Sequence, residues 1–573
     1  MPLEEEVDDP HEEVEEVVVQ TDESEVADET TQGGKPKNKR RKKTVTKVRV
    51  WKIDQDINYD PLPPFQNPPI DRLREPSEYF LDMFSPDLIE DIVYQTNLYV
   101  RQKDVSSTFQ IDRHEFVVFL GIIIYMGVCD LPAIEDYWAA MTKVPNVSEC
   151  MSAKRFRLIR SVLHFNNNEH ARASTDRFYK IRPVFNALTK QFQKIKETPT
   201  QSVDEVMVAY KGTRAGNLRQ YIQNKPDKWG FKLFCRASID GIIHDILMYQ
   251  GEPTFTSHHT QLTEAESKLL TSTKTVICLA KTIKKPDQSA IYADNYFTSI
   301  GLVEYLKTQY GCRYVGTARV SRIGKPPLMD AADFDDTPRG TIDFCTSEGI
   351  LALRWKDNKV VTVLSTDIGI SPAGEVKRFN NRLKKKVDIA CPGVIKEYNG
   401  KMGGIDKSDM LTHLYKTPMR ARRWYIRLFG YAVDLCICNA WLCYKRDCVA
   451  LNEKPMPLKI FRLDISRFAR CQQNLRPRVT RLSSNPGAQT PPQRGQRAIM
   501  PTLATRFDPT KLHLPKFVPN RQTCKHCSTK GDIHRSRWIC TVCKVALCLS
   551  DNRNCFEVFH KPDPTIHNIV MEG

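Results

Sequence analysis

The sequence predicts a multidomain protein of the α/β class, with a helical N-terminal domain before the α/β core and a small cysteine-rich domain after it. Apolar residues recur at helical spacing from about residue 76 to 198. Short runs rich in β-branched residues alternate with helix-like segments from about residue 200. Six of the 18 cysteines fall in the last fifty residues. A chain of 573 residues should hold several domains, since one domain usually has about 100–200.

The charge is distributed unevenly along the chain. The net charge is +17 and the pI about 9.1, but residues 1–34 contain fourteen acids and no Lys or Arg. The remaining chain therefore carries +31, an excess that attracts a polyanion such as DNA. No run reaches the ~20 apolar residues of a membrane span, so we expect no membrane partner.

Residues 1–50 are predicted to form a disordered tail, acidic at first and then basic. The basic run Lys35–Lys43 suits a nuclear import signal, and hence a nuclear location, or an arm that binds phosphates. The alternative is a solvated charge run in a tail.

Residues 51–199 are predicted to form the helical domain. In the segment Phe84–Tyr99, a Ser cap and a Pro at the first helical position precede apolar residues at helical spacing. Phe116–Cys129 reads as a buried helix, and Ser152–Phe165 as a helix with a basic face. That face, formed by Arg155, Arg157 and Arg160, either binds DNA or faces water.

The core begins with the predicted strand Gln201–Tyr210, which contains Asp204. A hairpin around Asp240-Gly241 follows, then a helix-like stretch from Glu264 to Leu279 and a strand that ends on Asp294. Together these elements suggest a ribonuclease H-like fold.

The core is predicted to occupy two segments of the chain. Its first part covers residues 200–320, and a β-rich insertion over 321–396 separates it from the second part, 397–455. A basic helical and linker region, 456–520, leads to the cysteine-rich domain, 521–573.

Acidic residues stand in three separated segments of the core. Asp204 lies within a strand, Asp294 ends another, and Asp406 and Asp409 share one face of a helix that opens after a Gly-Gly break. Carboxylates gathered from such segments suit hard cations such as Mg²⁺.

Three motifs carry a resemblance to a known family. They are Ser-Val-Asp-Glu at 202–205, Ala-Asp-Asn-Tyr-Phe-Thr-Ser at 293–299 and Tyr-Asn-Gly-Lys-Met-Gly-Gly-Ile-Asp at 398–406. In this order they resemble the piggyBac-type transposases with a DDE/D motif, from about Ser77 to the C-terminal cysteines. The resemblance implies the ribonuclease H-like core more firmly than the periodicity does.

The resemblance also implies a mechanism. Asp204, Asp294 and Asp406 would hold two Mg²⁺ ions for in-line displacement at phosphorus, and Asp409 would act as a further ligand or supporting group. The expected activity is that of a DNA transposase, an endonuclease and strand transferase that nicks transposon ends and joins them at TTAA targets. A homodimer is expected because both ends of the double-stranded element must be held.

Two basic motifs match family positions near the DNA. Lys225, Lys228 and Lys232 would neutralise phosphates beside the metal site. A second set, Arg422, Arg423 and Trp424, lies near the expected DNA ends, where Trp424 either stacks on a base or packs in the core.

The last fifty residues carry pairs of cysteines at metal-ligand spacing. Seven ligands are evident: Cys524, Cys527, Cys540, Cys543, Cys548, Cys555 and His560. They suggest two interleaved Zn²⁺ sites, for which His534 is the first choice as eighth ligand and Asp551 the second. The domain would recognise transposon-end DNA, or serve a structural or protein-binding role.

Two rival functions remain open at this point. A domesticated, noncatalytic DNA- or chromatin-binding protein would keep the fold and retain DNA without nicking it. A different metal-dependent nuclease would cut DNA but leave no joined product at TTAA.

Overall fold

The computed structural model describes residues 16–22, 46–57, 60–65, 70–223, 225–419, 421–471, 500–508, 510–529, 531–550 and 552–561. The basic run Lys35–Lys43 and Asp551 lie outside these residues. The chain divides into two compact units, Met1–Pro477 and Arg478–Gly573.

Six helices between residues 76 and 192 form much of the core of the first unit. Ser85 Oγ accepts the backbone N–H of Leu88 and Pro86 is the first residue of the second helix, which confirms the predicted start. Arg113–Val128 is a mostly buried helix, also as predicted. The six helices are α1 (Pro76–Met83), α2 (Pro86–Lys103), α3 (Arg113–Val128), α4 (Pro145–Ser148), α5 (Ala153–Val162) and α6 (Arg182–Phe192).

A mixed sheet of eleven strands runs through the first unit. Its strands are β1 (Glu16–Asp22), β2 (Thr46–Ile53), β3 (Thr200–Ala209), β4 (Gln220–Tyr221), β5 (Trp229–Ser238), β6 (Ile243–Met248), β7 (Ala290–Ala293), β8 (Arg313–Thr317), β9 (Ile342–Ser347), β10 (Ile350–Lys356) and β11 (Val360–Ser365). The order is β1-β2-β9-β10-β11-β8-β7-β3-β5-β4, with β6 also paired to β5. β7 is parallel to both β3 and β8, and the other pairs are antiparallel.

The sheet corrects two predictions. Residues 16–22, within the tail that was predicted to be disordered, form β1 and pair with β2, as the β-branched run Val17–Val19 favours. The predicted insertion over 321–396 is only partly separate, because β9, β10 and β11 extend the main sheet. Only the ribbon of β12 (Gly374–Asn380) and β13 (Lys385–Cys391) forms its own two-stranded sheet.

Helices cover both faces of the sheet, and hydrophobic core clusters lie between the helices and the sheet. The helices that follow β6 in this unit are α7 (Glu264–Ser267), α8 (Thr271–Ala280), α9 (Ile300–Tyr310), α10 (Ala331–Asp335), α11 (Gly393–Lys401), α12 (Gly404–Leu414), α13 (Trp424–Ala450) and α14 (Leu458–Cys471). Within the described residues, α13 alone is long and apolar enough to span a membrane, and 83% of its most apolar window is buried in the protein.

Helix α14 lies at the start of the predicted basic helical and linker region, 456–520, and packs in the helical core. Ser466 Oγ donates to the carbonyl of Gly121 in α3, and a Cβ at Gly121 would lie 2.8 Å from Ala469 Cβ. Its Arg462 forms a buried ion pair of 2.8 Å with Asp434 of α13. The carboxylate of Asp434 also accepts from Thr417, so this buried charge is well satisfied.

The second unit is small and contains the cysteines. Its elements are α15 (Leu503–Arg506), β14 (Pro515–Thr523), β15 (Arg535–Cys540), β16 (Leu549–Ser550), β17 (Arg553–Asn554) and α16 (Cys555–His560). β14 pairs with β15, so the folded segment begins before residue 521, the predicted boundary.

Candidate functional site

Asp204 and Asp294 lie on adjacent parallel strands of the sheet. The register of β3 and β7 pairs Val203 with Ala293, and each acid is the next residue along its chain. Side chains alternate between the two faces of a sheet along each strand. Because each acid directly follows one of the two paired residues, both acids point to the same face. The sequence therefore places two carboxylates side by side where β7 ends.

Asp406 reaches this region because α12 approaches the sheet closely. A Cβ at Gly404 would lie 2.5 Å from the carbonyl oxygen of Ser238 and 2.7 Å from Ser202 Oγ. Only glycine allows that approach, and Asp406 follows two residues later in the first turn of α12. The Gly-Gly break in the sequence thus has a packing role.

Two side chains link the acids electrostatically: Tyr398 interacts with all three, and Lys225 with Asp204 and Asp406. Burial, together with the charges of Asp294, Asp204 and Asp406, raises the pKa of Tyr398 to about 12. For Lys225, burial lowers the pKa, but Asp204, Glu205 and Asp406 outweigh it and the pKa is raised. The three acids therefore share one electrostatic neighbourhood.

Asp204 and Asp294 carry perturbed pKa values. Burial, with a smaller contribution from the charge of Glu205, raises the pKa of Asp204 to about 7 against the opposing effect of Lys225. Burial also raises the pKa of Asp294. Such shifts are typical of sites where charge is concentrated for binding or catalysis.

The trio is less compact than a set of metal ligands in contact with one ion. In the described part of the chain, three other groups bring ligand atoms within 4.8 Å of one another, and Asp204, Asp294 and Asp406 do not form such a group. The sheet and α12 therefore bring these three acids into one region, but their carboxylate oxygens are not all within 4.8 Å of one another.

Asp409 has a different partner. Its Oδ1 lies 3.3 Å from Nδ1 of His413 on the same helix, and Nε2 of His413 lies 3.4 Å from Asp227. Asp409 raises the pKa of His413 to about 9. The structure thus places the Asp409 carboxylate in a link between α12 and the turn before β5.

The three predicted lysines have distinct surroundings. Lys225 Nζ lies 3.4 Å from Glu205 Oε1, and Lys232 Nζ lies 4.6 Å from the ring centroids of Phe234 and Tyr296. Burial lowers the pKa of Lys232, against the charges of the nearby acids. Lys228 is exposed. Only Lys228 thus has the open side chain expected of a DNA contact, while Lys225 and Lys232 border the acids.

The second predicted DNA-binding set is mostly internal. Arg423 donates to the carbonyl of Leu163 at 3.0 Å and to that of Arg160. Trp424 packs in the core beside Phe178 and Phe231, with ring centroids 6.0 and 5.6 Å away. Core packing, the alternative left open for Trp424, is the arrangement observed. Arg422 is exposed.

An exposed aromatic pair lies next to the lysines and was not singled out from the sequence. Trp229 is 42% exposed and Tyr221 52% exposed, and their ring centroids are 4.9 Å apart. The Arg219 guanidinium lies 4.2 Å from the Trp229 centroid. In the sequence, the only indication of this cluster is that Arg, Tyr and Trp stand close together on either side of a turn. The pairing of β4 with β5 brings the three side chains together.

Glu205 and Tyr398 were also missed as parts of the site. Both lie inside the motifs that contain Asp204 and Asp406, so their position in the sequence already indicated that they belong near the acids. Their importance follows from burial and charge, which a sequence motif does not give.

Four cysteines of the second unit form one candidate metal centre. Cys524, Cys527, Cys548 and Cys555 have sulfurs within 4.8 Å of one another. The sulfurs of Cys527 and Cys548 are 3.7 Å apart, close to the edge of a tetrahedron with metal–sulfur distances of about 2.3 Å.

The second centre contains two cysteines and two histidines. Nδ1 of His513 lies 3.3 Å from Cys540 Sγ and 3.5 Å from Cys543 Sγ, and Nε2 of His560 lies 3.3 Å from Cys543 Sγ. Nδ1 of His560 is 2.7 Å from the carbonyl of Phe556. A backbone carbonyl on the second ring nitrogen is the usual orienting contact of a metal-bound histidine.

The eighth member is His513 rather than His534, which corrects the prediction. Nε2 of His534 lies 2.9 Å from Asp532, and His534 is a member of neither group. His513 precedes β14, and the pairing of β14 with β15 brings it to Cys540. No Cys or His motif marks it in the sequence.

A third group consists of Asp245, His258 and His259. Nε2 of His258 lies 3.6 Å from Asp245 Oδ1, and Nδ1 of His258 accepts the backbone N–H of Thr260 at 3.1 Å. A neutral His258 therefore carries its proton on Nε2, facing the carboxylate. This arrangement is a buried polar network, and His258 has no free lone pair for an ion.

Comparisons with known proteins agree with this architecture. A family model described as Transposase IS4 matches residues 75–441. PiggyBac transposable element-derived protein 3 of Homo sapiens is 34% identical over 436 residues, covering 74% of this chain and 70% of the human protein. PiggyBac transposable element-derived protein 2 of Homo sapiens is 30% identical over 429 residues, or 72% of this chain and 69% of its own length.

A solved structure shows the same fold. The cryo-EM structure of the piggyBac transposase synaptic complex with hairpin DNA matches with a TM-score of 0.60 at 20% identity. The match covers 84% of this chain and 98% of that one.

Proposed function

The chain belongs to the piggyBac family of transposases and transposase-derived proteins, and from this premise we propose that it is a Mg²⁺-dependent DNA transposase. It would cleave transposon ends and join them at TTAA targets. The single observation that carries the proposal is the position of Asp204 and Asp294 at adjacent places on parallel strands, with Asp406 brought toward them by α12.

The donor set fits the metal. Carboxylate oxygens are the ligands that Mg²⁺ prefers, and Asp204, Asp294 and Asp406 would hold it. When bound, two such ions supply electrostatic stabilisation for in-line displacement at phosphorus. The raised pKa of Asp204 indicates excess negative charge in a buried place, which a cation would relieve.

The neighbouring residues would position these acids. Lys225 and Lys232 balance part of their charge, and Tyr398 lies among them. Asp409 would act indirectly, because its ion pair with His413 ties α12 to the turn that holds Asp227. We assign Asp409 a positioning role and leave it outside the metal-binding set.

We further propose that β3, β5, β6, β7 and β8 form a ribonuclease H-like core. These strands combine an antiparallel unit with two parallel additions, and they place both strand acids at one edge. The remaining strands of the sheet extend this core and do not interrupt it.

A DNA-binding surface would lie beside the acids. Trp229 and Tyr221 offer aromatic faces on which an unpaired base can stack, and Arg219, Lys228 and Arg422 can contact phosphates. The structural relative was solved in a synaptic complex with hairpin DNA.

The cysteine-rich unit would bind two Zn²⁺ ions. The Cys₄ and Cys₂His₂ donor sets and their spacings fit tetrahedral zinc. Metal binding would supply folding free energy that so small a unit lacks. We propose that this unit recognises transposon-end DNA, that the protein works as a dimer, and that it acts in the nucleus.

One alternative has support of its own. The human relatives are named transposable element-derived proteins, and the three acids are not as closely spaced as the other metal-ligand groups. A noncatalytic DNA- or chromatin-binding protein would keep the fold and the DNA-binding surface.

A cleavage assay separates the two functions. The Asp204→Asn variant, which should bind without cutting, first selects tight-binding duplexes from a randomised pool. Native protein with Mg²⁺ should then nick a labelled selected duplex and join it to a plasmid at TTAA. Retention of the duplex without any nick would support the noncatalytic alternative. Nicks without joined TTAA product would indicate another nuclease.

A further inference from the structure

A lysine-lined cavity lies at the edge of the sheet away from the candidate active site. Its volume is about 450 Å³, and its lining includes Phe65, Lys194, Lys196, Glu197, Lys284 and Lys285. Cavities of this size accommodate small ligands.

The strand topology sets the position of this cavity. Lys194 and Lys196 precede β3, while Lys284 and Lys285 precede β7. Parallel strands begin at the same edge, so the lysines collect where β3 and β7 start. Asp294 follows the end of β7, about 13 Å along the strand, at about 3.3 Å per residue.

The only acid that lines the cavity, among the described residues, is already neutralised. Glu197 Oε1 accepts from the buried Arg236 at 2.8 Å, and its Oε2 accepts the backbone N–H of Lys284 at 3.0 Å. The carboxylate therefore contributes little to balance the four ammonium groups.

One of these ammonium groups, on the half-buried Lys196, has no hydrogen-bond partner among the described residues. Its Nζ has almost no accessible surface. Burial, Lys285 and Arg446 all lower the pKa of Lys196. The nearby carboxylate of Asp240 pairs with Arg446 at 2.6 Å. A buried, unpaired ammonium nitrogen is costly and indicates a site for an anion.

We propose that this cavity binds a nucleoside polyphosphate, with its phosphate chain on the lysines. A compact anion can reach the half-buried Lys196, whereas the backbone of a duplex contacts exposed side chains over a broad surface. Phe65, whose ring centroid is 5.3 Å from Lys285 Nζ, provides an apolar wall for a base.

The test is calorimetric titration of the full chain with ATP and with pyrophosphate, without Mg²⁺. Both should bind, and Lys285→Met should weaken binding about tenfold or more, as expected for loss of a charge-assisted contact. Lys196→Met should weaken it at least as much. Lys285 is exposed, so its variant should fold even if the Lys196 variant does not.

Two controls locate the site. Lys268→Met removes an exposed lysine that pairs with Glu264 outside the cavity, and it should leave binding unchanged. Asp204→Asn should also leave it unchanged, so this proposal stands or falls separately from the transposase proposal.

Three results would overturn the proposal. The first is that the native chain binds neither ATP nor pyrophosphate at millimolar concentration. The second is that Lys285→Met and Lys268→Met have the same effect on binding. A 20-base-pair duplex that displaces pyrophosphate through these lysines while ATP does not would assign them to the DNA backbone.

Discussion

Asp204 in β3 and Asp294 after β7 occupy adjacent positions on parallel strands, since the residues before them, Val203 and Ala293, pair directly. This relationship brings together two acids ninety positions apart in the sequence. The two acids are brought together by the parallel register of β3 and β7 and not by closeness in the sequence.

Substitution of Asp204 should separate cleavage from binding. Asp204→Asn should lower the rate of DNA nicking by at least about a hundredfold, because loss of even supporting groups around a metal costs 10–100-fold. Its affinity for a selected duplex should stay within a few-fold, which a filter-binding assay measures. Asp240→Asn, in a turn, is the matched control and should keep the nicking activity. Equal loss of DNA binding in Asp204→Asn would show a structural role.

The raised pKa of Asp204 predicts a pH effect on stability. A carboxyl whose folded-state pKa is above its unfolded value stabilises the fold at low pH, and that contribution is lost as the pH rises through about 7. Without divalent metal, Asp204→Asn should therefore be more stable than the native chain at pH 8, by on the order of 1 kcal/mol. At pH 4 the two should be similar. Thermal melts at both pH values test this, and an equal difference at both would contradict the assigned pKa.

The second unit predicts which histidine binds zinc. Native protein should contain about two zinc ions, and His513→Ala should lose about one because it removes a donor from the Cys₂His₂ group. His534→Ala, which changes a histidine outside both groups, should retain both ions. Metal content by mass spectrometry measures the difference. Loss of zinc from His534→Ala alone would restore the original prediction.

Two tryptophans should respond differently to substitution. Trp229→Ala should weaken binding of DNA with unpaired bases by about 1–3 kcal/mol and leave the melting temperature unchanged, because Trp229 is exposed. Trp424→Ala should lower stability, since its ring packs on Phe178 and Phe231. Duplex and bulged probes report the first effect, and thermal melts report the second. Reversed effects would place Trp424 at the DNA.

Much of this arrangement could be predicted from the sequence. Strand-like runs and the Gly-Gly break located Asp204, Asp294 and Asp406, and cysteine spacing located seven of the eight candidate zinc ligands. These signals are local, because periodicity, turn residues and ligand spacing depend on neighbouring positions.

The rest depends on long-range packing. His513 joins its cysteines only through the pairing of β14 with β15, and Asp409 meets His413 instead of the other acids. The continuation of the sheet through β9, β10 and β11 could not be predicted from their sequences. The apolar pattern of a strand shows which face is buried but not which strand pairs with it. Burial of Arg423 and Trp424 likewise follows from tertiary contacts.

The most direct test of the central claim is diffraction from crystals soaked in Mn²⁺, with anomalous scattering to locate the metal. We predict peaks within coordination distance of the carboxylates of Asp204, Asp294 and Asp406, and their loss in Asp204→Asn. Well-ordered crystals with no peak at these acids at saturating Mn²⁺ would contradict the proposed metal-dependent activity.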